Sequence, residues 1–163
     1  MSGPLRHVKK EIRILGLDAC NPSLTVGAVV RGGLYLDGVM TFSRDAEEEA
    51  DLIANKIAKS RYFPELRTIM VHDPKSLLDP KIMQQGTRLP VVNIALDSRI
   101  KAGGYRFYGK DRQQLWIKTT LESPSLEKIL SLTKSRGRLP EPLRIAHLLA
   151  KLNIPRRLSR DKE

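Results

Sequence analysis

The sequence predicts one α/β domain, a mixed sheet of three antiparallel strands followed by parallel strands, with helices on both faces. Three observations point there. The chain opens with three apolar runs separated by turn signals, a helical stripe comes next, and short apolar runs then alternate with helical stretches. At 163 residues the chain suits a single domain over 1–163, with basic tails over about 1–8 and 155–163 expected to fray.

Lys9 to Asp18 reads as the first strand, because Ile12, Ile14, Leu15 and Leu17 form the near-continuous apolar run of a strand covered on both faces. Asn21-Pro22-Ser23 makes a turn, and Leu24 to Val30 a second strand. Gly32-Gly33 permits a tight hairpin back into a third strand, Leu34 to Phe42. A helix follows from about Ala46 to Arg61, with Asp45 and Glu48 at capping-box spacing and Ala50, Ile53, Ala54 and Ile57 on one stripe. Thr68 to Val71 is a short strand ending at His72-Asp73, Asp79 to Gln85 a short helix, and Pro90 to Leu96 another strand. Lys101 to Arg112, rich in Gly, Lys and Arg, reads as a loop; Leu115 to Thr120 reads as a last strand. Ser125 to Lys134 forms a helix, and Pro142 at a first helical position starts the closing one.

That order is the order of the ribonuclease H-like fold, in which the first and fourth strands are parallel neighbours. Their carboxyl ends would bring Asp18 and Asp73 together where the strand order switches direction. Two carboxylates there suit divalent Mg²⁺ or Mn²⁺, hard ions that prefer oxygen ligands and support phosphodiester hydrolysis in pairs. The bland readings are a turn for Asp73, which precedes Pro74, and a satisfied, partly buried histidine for His147. Cys20 is the one cysteine, so no internal disulfide forms and the residue reads as a small buried hydrophobe.

Twenty-nine Lys and Arg against 18 Asp and Glu give a formal charge of +11, which draws polyanions. Nucleic acid is the expected partner. Arg106 and Lys110 interleave with Tyr105, Phe107 and Tyr108, and with Arg112 they form one candidate contact surface; Arg136 and Arg138 form a second. No apolar run approaches the ~18 residues of a membrane span, and the N-terminus lacks the apolar centre of a signal peptide, so a cytoplasmic protein is expected. There is no phosphate-loop signature, zinc-finger spacing or nucleophile-elbow motif.

Two segments carry a family likeness. Arg31-Gly-Gly-Leu-Tyr-Leu-Asp-Gly-Val39 and Gly137-Arg-Leu-Pro-Glu-Pro-Leu-Arg-Ile-Ala-His147 resemble signature segments of an archaeal family of unknown function grouped with endonuclease V. The second is also similar to the closing helix of endonuclease V itself. The resemblance implies a ribonuclease H-like fold and a metal-dependent endonuclease. It matches Asp18 to the first-strand ligand, Asp73 to the second one place late, Glu47 or Glu48 to the helix glutamate, and His147 to the closing-helix ligand. A slip of one residue turns a strand side chain to the other face unless a bulge corrects it, so either His72 or Asp73 takes the second position. The competing expectations are a non-catalytic nucleic-acid-binding module and a homo-oligomeric adaptor, in the simplest case a homodimer.

Overall fold

Apolar residues on both faces of the central strands make a sheet that needs helices above and below it. A computed structural model, which describes residues 5, 7–43, 50–97, 103–110 and 113–152, shows that arrangement. The strands are β1 (Arg13–Asp18), β2 (Leu24–Arg31), β3 (Tyr35–Ser43), β4 (Leu66–His72), β5 (Val91–Ala95), β6 (Arg106–Lys110) and β7 (Gln113–Thr119). They lie in one sheet in the order β3-β2-β1-β4-β5-β7-β6. The helices are α1 (Ala50–Ala58), α2 (Pro80–Thr87), α3 (Ser123–Leu132) and α4 (Glu141–Leu152). No helix among the described residues is long and apolar enough to cross a membrane.

The expected meander is present: β1 pairs antiparallel with β2, and β2 with β3. Gly32 and Gly33 take φ of 62° and 70°, the left-handed conformations that such a turn demands and that glycine adopts without strain. The predicted parallel neighbours β1 and β4 also pair, and β5 lies parallel on the other side of β4. The far edge differs. Part of the expected loop over 101–112 is strand β6, which pairs antiparallel with β7, and β7 runs antiparallel to β5. Phe107 packs edge-on against Trp116 with ring centroids 5.4 Å apart, so an aromatic of the expected contact loop is a cross-strand partner in a hairpin. The amino-terminal part of the expected first helix, with Asp45, Glu47 and Glu48, lies outside the described residues.

Alternation along the strands divides the core in two. Leu15, Leu17, Ile69 and Val71 pack with Ile53, Ala54 and Ile57 of α1 and Met83 of α2. Ile14, Met70, Val92, Ile94 and Ile117 pack on the other face with Ile129 and Leu130 of α3 and Leu143 of α4. Each of the larger of these side chains, the Leu, Ile, Val and Met, contributes about 1.5–3 kcal/mol.

Helix α4 comes closest to the sheet. Its buried Ala146 and Ala150 lie on Val26, Ala28 and Val30 of β2. Over β1 the fit depends on a missing side chain, since a Cβ at Gly16 would fall 2.5 Å from the carbonyl carbon and oxygen of Pro142. Asn21 fastens the β1–β2 turn to the same helix, its Nδ2 donating to the Ala150 carbonyl at 2.9 Å.

Candidate functional site

The closest approach of α4 to β1 sets the register of the site. From Pro142 to His147 the helix advances five residues, about 7.5 Å; from Gly16 to Asp18 the strand advances two, about 6.6 Å. These near-equal steps carry His147 to Asp18. His147 Nδ1 lies 2.9 Å from Asp18 Oδ2. Parallel pairing sets Asp18 level with His72, and His72 Nδ1 lies 3.0 Å from the same oxygen. The other oxygen, Oδ1, accepts the Cys20 amide at 3.0 Å, and Cys20 Sγ lies 3.4 Å from His72 Nδ1. The imidazole rings meet edge to face, centroids 5.8 Å apart. Asp18 is wholly buried and His72 nearly so; Cys20 and His147 are half-buried and form the solvent side.

Burial by itself would raise the Asp18 carboxyl. Hydrogen bonds from His72 and from the Cys20 amide, with the electrostatic attraction of His72 and His147, outweigh it and hold the group below its ordinary value. The centre is therefore an ionised carboxylate held by two imidazole N–H groups and a backbone N–H.

Asp73 is not part of this cluster. The register shift between β1 and β4 falls at their amino ends, between Arg13 and Ile14, so alternation runs unbroken from Thr68 to His72, the last residue of the strand. Met70 and His72 face α3 and α4, and Asp73 turns to the α2 side. There its Oδ2 accepts the Leu78 amide at 2.6 Å, closing the turn that leads into α2. It lines a cavity of about 660 Å³ with Asn93, Tyr105, Lys118 and residues of α2. Burial, opposed by the Asn93 hydrogen bond and reinforced by the Asp73 charge, raises the Tyr105 phenol above its ordinary value. Asp73→Ala should cost about 1.5–3 kcal/mol by freeing the Leu78 amide, and should leave the Asp18 centre intact. Urea denaturation checks the first part. Unchanged stability would refute it.

The remaining predicted residues divide. Glu47 and Arg112 lie outside the described residues, as does the Lys110 side chain. Arg106 is exposed and pairs with Ile117, in the row that crosses the sheet from Asp18 through His72 and Ile94. Four strand spacings, about 19 Å, separate it from Asp18. Arg138 reaches the sheet as a structural tie, donating to the carbonyls of Leu96 at 3.1 Å and Gln114 at 2.9 Å. Arg136 lies with Lys134 and Arg144 beside Gly33 of the β2–β3 turn, which is at the end of β1 opposite Asp18. Among the described residues the two basic regions therefore do not form one surface around the centre.

Cys20 is not among the predicted ligands, and His72 is the alternative to Asp73 at the second position. Strict alternation from the buried Met70 could have found His72. Cys20, read as an inert apolar filler, follows Asp18 by two residues across the start of the turn, and only the fold of that turn brings its sulfur to His72.

The residues at hand do not suit a pair of Mg²⁺ or Mn²⁺ ions. Among the described residues the cluster has one carboxylate, accompanied by a thiol and two imidazoles. Hard ions that prefer oxygen have too few partners in that set.

No protein-family model matches the chain. Among solved structures, a protein of unknown function from Archaeoglobus fulgidus superposes with a TM-score of 0.67 at 21% identity, covering 88% of this chain and 98% of that one. Argonaute of Marinitoga piezophila with a 5′-OH guide RNA gives 0.57 at 13% identity, covering 90% of this chain and 30% of that one. At such identities the likeness is one of fold, and it agrees with the ribonuclease H-like sheet. Curated relatives align along most of their length. The UPF0215 protein of Methanosarcina barkeri is 28% identical over 177 residues, spanning 88% of this chain and 91% of its own. That of Methanopyrus kandleri is 30% identical over 183 residues, spanning 90% and 93%, and the chain thus belongs to the archaeal UPF0215 family.

Proposed function

We propose that this protein processes nucleic acid and that the Asp18 cluster is its working centre. The observation that carries the reading is position. A buried, ionised carboxylate stands at the carboxyl ends of two central parallel strands, where open α/β sheets bind their ligands. The ribonuclease H-like sheet and the excess of positive charge support it. So does the fold shared with an Argonaute solved with guide RNA and target DNA, at a TM-score of 0.59. The reaction that suits this position is hydrolysis of a phosphodiester, the chemistry that a kinship with endonuclease V would imply. His147, a quarter exposed and held by Asp18, is the side chain that a substrate would meet first, while Asp18 and His72 fix its orientation from below.

A second reading is favoured by one observation. Asp73, the other carboxylate expected in the site, faces the opposite side of the sheet and closes a turn. On that reading the protein is a non-catalytic nucleic-acid-binding module that keeps the fold without the reaction.

One set of measurements separates the two. Fluorescence anisotropy with single-stranded and duplex DNA and RNA should show binding that weakens about a hundredfold between 50 and 200 mM salt if about five phosphates are contacted on a single strand. Incubation of the same oligonucleotides with divalent ions, Zn²⁺ and Mn²⁺ among them, should yield cleavage that Asp18→Asn abolishes while binding survives. Salt-dependent binding without cleavage under any ion would establish the binding module. Absence of binding at low salt would remove both readings.

A further inference from the structure

We propose that Asp18, Cys20, His72 and His147 form a mononuclear site for a divalent transition metal of the zinc class, not for magnesium or manganese. The four donor atoms, one from each residue, all lie within 4.8 Å of one another. One carboxylate oxygen, two imidazole nitrogens and one sulfur make the mixed set that zinc takes in four-coordinate sites.

The separations fit as well. With metal–ligand bonds of about 2.0–2.3 Å, the edges of a tetrahedron are about 3.3–3.6 Å. The carboxylate oxygen lies 3.0 and 2.9 Å from the two nitrogens, and the sulfur lies 3.4 Å from His72 Nδ1. The other three separations are no more than 4.8 Å. An ion entering the centre would push the close atoms outward by a few tenths of an ångström and draw the wider-set ones in by up to about 1 Å, which side-chain rotation at the half-buried Cys20 and His147 allows. The supports are rigid: Asp18 and His72 are paired within the sheet, and α4 is pinned against Gly16. The half-buried Cys20 and His147 give the ion a way in.

Uptake has a definite proton balance. Each imidazole offers one ring-nitrogen lone pair to the ion, and a proton carried on that nitrogen moves to the other ring nitrogen or to solvent. The Cys20 S–H bond breaks, its electron pair forms the sulfur–metal bond, and its proton leaves for solvent. The metal then replaces the hydrogen bonds by which the imidazoles hold Asp18.

This inference stands apart from the nucleic-acid reading, because uptake needs no oligonucleotide. The test uses the full chain, free of any affinity tag and stripped with chelator. Titration with Co²⁺ should give a tetrahedral visible spectrum and a near-ultraviolet thiolate band that saturate at one ion per chain. Zn²⁺ should bleach both, and Mg²⁺ in about hundredfold excess should not. Cys20→Ser should lose the thiolate band and bind Zn²⁺ at least about tenfold more weakly, with the circular dichroism of the metal-free protein unchanged. His147→Gln should weaken Zn²⁺ similarly and keep the band. Failure to bind Co²⁺, displacement by Mg²⁺, or equal Zn²⁺ affinity in wild type and Cys20→Ser would each overturn the proposal and leave a hydrogen-bonded polar cluster.

Discussion

Gly16→Ala should destabilise the fold by about 3 kcal/mol, the upper end of what overpacking costs. The added carbon would lie 2.5 Å from the carbonyl carbon and oxygen of Pro142, well inside van der Waals contact. The obstacle is backbone and cannot rotate aside as a side chain would. Either α4 lifts from β1 or the strand bends. Lifting would open the contact between Ala146, Ala150 and β2, and would move His147 from Asp18. At about 2–4 °C per kcal/mol for a chain of this size, the melting temperature should fall by about 6–12 °C. The substitution should also weaken whatever the centre binds, although Gly16 touches none of its four side chains in the hydrogen-bond network. A melting curve within 2 °C of wild type would mean that α4 does not bear on β1 as the close contact implies.

That contact also shows what the sequence could and could not convey. The meander was legible because its breaks, Asn21-Pro22-Ser23 and Gly32-Gly33, are turn chemistry that acts locally. Asp18 was legible because a polar residue ends an apolar run. The β6–β7 hairpin was hidden, because Gly, Lys and Arg dominate residues 101–112 while the pairing of Phe107 with Trp116 depends on a partner nine residues away. The second ligand was half legible. Apolar spacing located the end of β4, but which of His72 and Asp73 faces Asp18 depends on where the strand bulges. The bulge lies at the amino end of β4, so nothing corrects the slip at its carboxyl end. Cys20 and His147 meet across 127 positions of sequence, and no local pattern reports that.

Asp18→Ala should be the most costly substitution in the site, at about 2–4 kcal/mol in the metal-free protein. It takes the acceptor from three donors: the Cys20 amide and the Nδ1 atoms of His72 and His147. His147 can turn to water, but His72 is buried and cannot. Asp18→Asn keeps the shape and removes the charge, so it isolates the electrostatic part. The folded carboxyl is held below its ordinary value of 3.8, which is also its reference in the unfolded chain. A depressed carboxyl stabilises the fold above the unfolded value, and that contribution fades as pH falls through the folded one. In chelator, the difference in unfolding free energy between wild type and Asp18→Asn should therefore be full above about pH 5 and shrink steadily in acid below about pH 4. Urea titrations across that range would read it directly. A gap as large at pH 3 as at pH 6 would mean that the carboxylate is not kept charged by its neighbours. The centre would then lack the negative charge on which attraction of a cation, and any work on a phosphodiester, depends.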